Sequence, residues 1–106
     1  MENNFENRLT LATERVNSWS DEEQQGWAVD WLEDEYEEHD VTFREDCEYV
    51  WGAGHGRENT AANRAELAAH VVPGWDEEFL ANYVADYLMK RWSEHPHEFE
   101  SAVKGE

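Results

Sequence analysis

Within nine residues the chain carries Asp30, Glu33, Asp34, Glu35, Glu37 and Glu38, and Asp40, Glu45, Asp46 and Glu48 extend the run past a single cation, Arg44. Carboxylates so crowded offer three kinds of chemistry: proton transfer, cation ligation, or fixed negative charge shown to another molecule. Proton transfer requires a carboxyl whose pKa is raised by an apolar pocket, and most of these acids read as solvated. Calcium ligation of the EF-hand kind requires alternating Asp residues, which are missing. His95 and His97, flanked by Glu94 and Glu98, are two imidazoles in a polar stretch and read as exposed side chains rather than a metal site. Gly52-Ala53-Gly54-His55-Gly56 lacks the Lys-Ser/Thr that completes a phosphate-binding loop. Cys47 is the one cysteine, so neither an intrachain disulfide nor a thiolate zinc site is open to it, and Asp46 and Glu48 would raise its pKa. No catalytic residue, cofactor or metal is expected. Fixed charge remains.

That charge is concentrated. The 106 residues hold 26 acids and 8 bases, a net −18; residues 21–48 supply −12 of it, residues 1–20 supply −1 and residues 49–106 supply −5. Binding of nucleic acid or an anionic membrane through a basic surface is excluded, because the field has the wrong sign. With residues about 100° apart on a helix, Trp27, Ala28, Val29, Trp31, Leu32 and Tyr36 share one arc, while Asp30, Glu33, Asp34 and Glu37 take the opposite face. Like charges at spacings of three and four repel, and the pairs between Asp30 and Glu38 together cost roughly 1–3 kcal/mol. They also sit towards a helix C-terminus, where the macrodipole disfavours anions. An ordinary solvated face would place Lys at these spacings, and this one has none. A helix over residues 21–38 would be about 27 Å long and carry nine carboxylates, one per ~3 Å of axis. One strand of B-form DNA carries a phosphate per ~3.4 Å. Such a rod could occupy a groove that evolved to hold nucleic acid.

The elements that must position these residues read as helices. Leu, Val and Phe total only 18 residues, but six Trp and four Tyr supply an aromatic core, and the lack of Ile beside 11 Ala favours helix over sheet. Spacing predicts helices over 5–19 (Phe5, Leu9, Ala12, Val16 and Trp19 inward), from a Ser20–Glu23 capping box to about Glu38, over 60–72, over about 76–93, and near 97–103, with a flexible tail at about 104–106. Residues 41–51 fit both a strand alternation and a helix; Thr42 with Glu45 as a capping box, and Gly52 as a stop, favour the helix. Trp19, Trp27, Trp31, Trp75 and Trp92 fall on inward faces, which leaves Trp51 as the one to watch for contact. Leu11, Ala12, Val16, Trp19, Glu22, Asp30 and Leu32 recur 56 residues later as Leu67, Ala68, Val72, Trp75, Glu78, Asp86 and Leu88, seven identities over the 24 positions 9–32 and 65–88. After the shared Asp-aromatic-Leu, the second copy continues Met89-Lys90-Arg91 where the first has Glu33-Asp34-Glu35. The expectation is a single all-α domain over 1–106, a small bundle of five to six helices. If the repeat is a true duplication, two helical hairpins would be related by a pseudo-twofold axis; two hairpins alike only because both must pack is the alternative.

In these respects the chain resembles the phage-encoded DNA-mimic inhibitors, the Ocr-type antirestriction and acidic anti-CRISPR proteins, which are small, strongly acidic, often helical and often dimeric. The resemblance is carried by residues 21–48, above all Asp30-Trp31-Leu32-Glu33-Asp34-Glu35-Tyr36-Glu37-Glu38, and it is one of character rather than of motif. Lys90-Arg91 departs from the uniformly negative surface of the purest mimics, so the mimicry would be one-sided. The resemblance implies an inhibitor in the host cytoplasm that blocks the groove of a restriction enzyme, CRISPR effector or nuclease, touches no nucleic acid itself, and forms a homodimer in some arrangements. The expected partner-binding face is Asp30, Glu33, Asp34, Glu35, Glu37 and Glu38, extended by Asp40, Glu45, Asp46 and Glu48. Two rival readings stand beside it: a regulatory or assembly protein docking on some other basic partner, and the general acidity of a halophile. Against the latter, Glu outnumbers Asp 19 to 7. The N-terminus lacks a signal-peptide pattern and no apolar run approaches the ~18 residues of a membrane span, so the cytosol is the expected compartment.

Overall fold

A computed structural model describes residues 1–105; Glu106, the end of the expected tail, lies outside the described residues. Six α-helices and a 3-10 turn follow one another: α1 (Phe5–Asn17), α2 (Asp21–Glu38), α3 (Asp40–Trp51), α4 (Ala61–Val71), the turn Val72–Gly74, α5 (Glu77–Glu94) and α6 (Pro96–Val103). No strand occurs among the described residues, so the architecture is the expected all-α bundle. No helix is long and apolar enough to cross a membrane. Side-chain caps open three of the helices, the expected Ser20 among them. Asn4 accepts from the Asn7 N–H, Thr60 from the Asn63 N–H and Ser20 from the Glu23 N–H, each satisfying an amide with no partner inside its helix. Residues 41–51 are helical, but Thr42 is no cap. The helix starts three residues earlier, after His39.

The chain forms two compact units, Met1–Gln24 with the segment from Glu77 onward, and Gln25–Asp76. In the first, α1 packs on α5 and α6 folds back against α5. Its core is Ala12 and Val16 of α1, the stripe Leu80, Val84, Leu88 and Trp92 of α5, and Phe99 and Ala102 of α6. Trp92 and Phe99 meet edge to face at 5.6 Å. Burying Phe99 fully contributes about 2–3 kcal/mol of transfer free energy. Gln24 is buried, and its amide donates to the carbonyls of Val16 (3.0 Å) and Trp19 (3.2 Å), closing the end of α1.

In the second unit α3 packs on α4, and the core is Ala28, Trp31, Leu32 and Tyr36 of α2, Phe43 and Cys47 of α3, Leu67 and Ala68 of α4, and Val72. Tyr36 and Phe43 meet edge to face at 5.8 Å, and the Tyr36 hydroxyl donates to Asp46 Oδ2 at 2.6 Å. Burial pushes the Cys47 thiol up; Asp46 adds to that and Arg57 opposes it. Between α3 and α4 the chain turns through Gly52, Gly54 and Gly56 at φ 87, 80 and 66°, a left-handed backbone that only glycine takes without strain.

An offset of 56 governs this geometry. The first three helices begin at residues 5, 21 and 40, and the next three at 61, 77 and 96; the long helices end at Glu38 and Glu94. His39 (φ −127°, ψ 82°) and His95 (φ −128°, ψ 77°) break the chain identically between a long helix and a short one. Aligned on this offset, residues 2–43 and 58–99 share 14 identities in 42 positions: the seven above with Glu2, Asn3, Asn7, Arg8, Glu38, His39 and Phe43. Side-chain bonds repeat as well. Asn7 Nδ2 donates to the Glu2 carbonyl and Asn63 Nδ2 to that of Glu58, both at 2.9 Å. Arg8 donates to Asn3 Oδ1 at 2.7 Å and Arg64 to Asn59 Oδ1 at 2.9 Å. Asn3 Nδ2 donates to the Trp92 carbonyl at 3.1 Å and Asn59 Nδ2 to that of Tyr36 at 3.0 Å. The compact units do not coincide with the repeats. Each joins the N-terminal part of one repeat to the C-terminal part of the other.

The apolar spacing misplaces four large residues: Phe5 (63%), Leu9 (43%), Trp27 (44%) and Phe79 (51%) are substantially exposed. On α1 the buried line is Ala12 and Val16, flanked by half-buried Arg8, Leu11 and Arg15, so the helix is turned away from its Phe5–Leu9 stripe. The arginines cover that flank with their aliphatic stems.

Candidate functional site

Trp31, Leu32 and Tyr36 fix the rotation of α2 by entering the core, and that rotation aims the acids. Asp30, Glu33, Asp34 and Glu37 are brought together. They line one concavity of about 350 Å³ whose other wall is Ala61 and Arg64 of α4. Glu38 lies beside them on the same side and is exposed. Glu35 falls roughly 140° around the helix from Asp30 and is half-buried, so it belongs to another side.

The α3 acids take different roles. Asp40 is held twice, by Arg44 Nε at 2.7 Å and by Asn59 Nδ2 at 3.0 Å. Asp46 is half-buried and accepts the Tyr36 hydroxyl. Glu48 joins Asp40 and Arg44 at a second concavity of about 470 Å³, completed by Phe43, His55, Arg57, Glu58 and Asn59. Glu45 is exposed. Of the ten expected residues, four share a surface, Glu38 flanks it, and the rest are dispersed or bound within the unit.

This surface is not free of cations. Arg64 sits in the wall of the concavity and directs Nη1 to the Asn59 carbonyl (3.2 Å) and Oδ1 (2.9 Å). The Glu33 carboxyl is nonetheless held above its ordinary value, by burial first and then by Asp30 and Asp34, with Arg64 opposing. One guanidinium does not offset four carboxylates. Among the described residues no three His, Cys, Asp or Glu are placed to hold a metal ion.

Divided by unit, the charge is −8 in the first (13 acids, five bases) and −10 in the second (13 acids, three bases), which sum to −18. Amount does not distinguish the units; placement does. Seven acids of the first unit (Glu6, Asp21, Glu22, Glu23, Glu77, Glu78 and Glu98) stand in first helical turns, where the macrodipole stabilises them. In the second unit only Asp40 does. Its α2 acids gather at the C-terminal end, with no base in the last turn, whereas α5 has Arg91 there. The positions in the first unit equivalent to the four clustered acids are Asp86, Met89, Lys90 and Ser93. The same helix, at the same offset, is built without the charge.

Sequence reasoning missed Arg64, which stands in the wall, and Asn59, which orients it. The signal was present: Glu-Asn followed by Asn-Arg, at 2–8 and again at 58–64. In comparison with known proteins, no family model, no curated protein and no solved structure matches this chain.

Proposed function

We propose that the protein is a DNA-mimic inhibitor that sets Asp30, Glu33, Asp34 and Glu37, with Glu38 beside them, into the basic groove of a DNA-handling protein in place of phosphates. The observation that carries this reading is the contrast between repeats. Four carboxylates line one concavity near the unfavourable end of α2, where the equivalent helix uses one acid, a Met, a Lys and a Ser. Such a concavity suits Lys and Arg side chains of a groove, and Arg64 anchors its wall without neutralising it. Association would draw on release of counterions, as phosphate binding does. The partner class is a restriction enzyme, CRISPR effector or nuclease, met in the cytoplasm of the host cell.

The test is capture of host proteins on the immobilised full chain at low salt, followed by elution with competing duplex DNA. A DNA-handling protein released by duplex is the expected result, lost in the variant Glu33→Lys/Asp34→Lys/Glu37→Lys with helix content unchanged. Capture that duplex cannot displace would instead favour a regulatory protein docking on another basic partner. The near-equal division of charge between the units favours a second reading, general surface acidity. Under it the triple variant would bind nothing differently.

A further inference from the structure

We infer, resting on the function proposed above, that the partner's groove is one built for single-stranded nucleic acid, where Tyr49 of α3 takes the place of an unstacked base. Among the described residues Tyr49 is the most exposed large apolar side chain, at 89%, and Val41 follows at 69%. With Glu45 between them, they stand four residues apart along one line of α3. That line is the outer face of the helix, since the buried Phe43 and Cys47 hold the opposite one. Neither helix nor core accounts for these side chains. Val and Tyr are weaker helix formers than the Ala, Glu or Lys that suit an exposed position. A ring left in water also forgoes the burial that makes aromatic residues stabilising. At the offset of 56 the equivalent positions are His97, Ser101 and Gly105, the last beyond the end of α6 at Val103. The exposed ring is thus confined to the repeat that carries the clustered acids. Trp51, expected as the aromatic contact, is engaged internally: Arg57 lies over its ring at 3.7 Å, and His70 meets it edge to face at 5.6 Å.

Charge complementarity selects what covers this face. Glu45 and Glu48 are exposed on it, and its one cation, Arg44, is held by Asp40 at 2.7 Å. A partner surface that covers Tyr49 and Val41 must therefore bring cations with its apolar or aromatic groups. A duplex turns its bases inward, so a mimic of duplex needs carboxylates alone. Grooves for single strands combine cations that follow the backbone with aromatic rings and Arg planes on which bases stack. A phenol ring one helical turn from the Glu45 carboxylate presents both parts of a nucleotide, a planar face and an anion.

The full chain is immobilised, loaded with host proteins at low salt, and eluted with oligothymidylate or, separately, with a duplex of equal phosphate number. Release by the single strand at a concentration about tenfold below that of the duplex is expected. The protein so released is then titrated with the full chain and its variants. Tyr49→Ala should weaken binding about tenfold, and Tyr49→Phe, which keeps the ring, should stay within about twofold. Helix content should be unchanged in both, because the side chain is outside the core. Equal release by duplex, or Tyr49→Ala binding as the parent does, would overturn the inference and leave the mimicry of phosphates standing. Release by neither polymer would remove both.

Discussion

A buried phenol must give its proton to some acceptor, and at Tyr36 the acceptor is Asp46 Oδ2. The equivalent positions of the other repeat are Trp92 and Ala102: where the hydroxyl goes, the carboxylate goes with it. This explains why Asp46, expected on the partner-binding face, is turned to an internal task. Tyr36→Phe should therefore lose about 1–2 kcal/mol at neutral pH in urea denaturation, since Asp46 keeps its desolvation without its donor. Adding Asp46→Ala should recover part of that loss. Burial, then the Asp46 bond, holds the Tyr36 phenol well above its ordinary value. The folded chain keeps a proton that the unfolded chain releases near pH 10, so this contribution is complete below that pH and declines as pH rises beyond it. The decline should be flatter in Tyr36→Phe. Asn59 has a similar economy: one amide serves the Tyr36 carbonyl and Asp40, and its oxygen takes Arg64. Asn59→Ala should cost about 1–3 kcal/mol and speed amide exchange in residues 25–76 before the other unit.

On the scale of the helix, the second repeat is a control built into the molecule. Grafting its residues onto α2, as Glu33→Met, Asp34→Lys and Glu37→Ser, removes the repulsions 30–33, 30–34, 33–37, 34–37 and 34–38. It also creates attractions between position 34 and both Asp30 and Glu38. Thermal melting should show a gain of about 1–2 kcal/mol, and binding to a basic groove should disappear. A graft that unfolds the chain would mean the acids serve the fold, and the proposed function would fall with it. The start and face of α2 were legible because the Ser20 cap and the apolar arc Trp31-Leu32-Tyr36 agree, and the helix ends at Glu38 as expected. The rotation of α1 was not, since Phe5 and Leu9 continue the spacing of Ala12 and Val16 while the arginines supply the covered flank. The four-acid concavity was half legible. One helix face predicts Asp30, Glu33, Asp34 and Glu37 together, but Arg64 arrives from 30 positions beyond Asp34 through the Asn59 contact, which no local periodicity encodes. Glu35 and Asp46 were misassigned to the face for the same reason: negative charge in a sequence carries no direction until a core fixes one.

For the molecule as a whole, salt separates the readings because it acts with opposite signs on folding and on binding. Repulsion within a chain of net charge −18 weakens the compact state, and added salt screens it. The core is aromatic and apolar in both units, and the first-turn acids gain from the macrodipole without any counterion. The fold should therefore stand in dilute buffer. Circular dichroism at about 10 mM salt should show the same helix content as at about 1 M, with the melting temperature higher by a few degrees in the latter. Binding to a basic groove should move the other way. If four or five carboxylates stand in for phosphates with the same salt slope, affinity should fall by roughly a few hundredfold between 50 and 200 mM salt, a steep log-linear loss measurable by titration calorimetry. A chain acidic merely to stay dissolved in brine would behave otherwise, unfolding in dilute buffer and showing no steep dependence towards any basic protein. Loss of helix at low salt would thus remove the ground for a dedicated acidic face. Retention with a steep binding slope would place the function on α2.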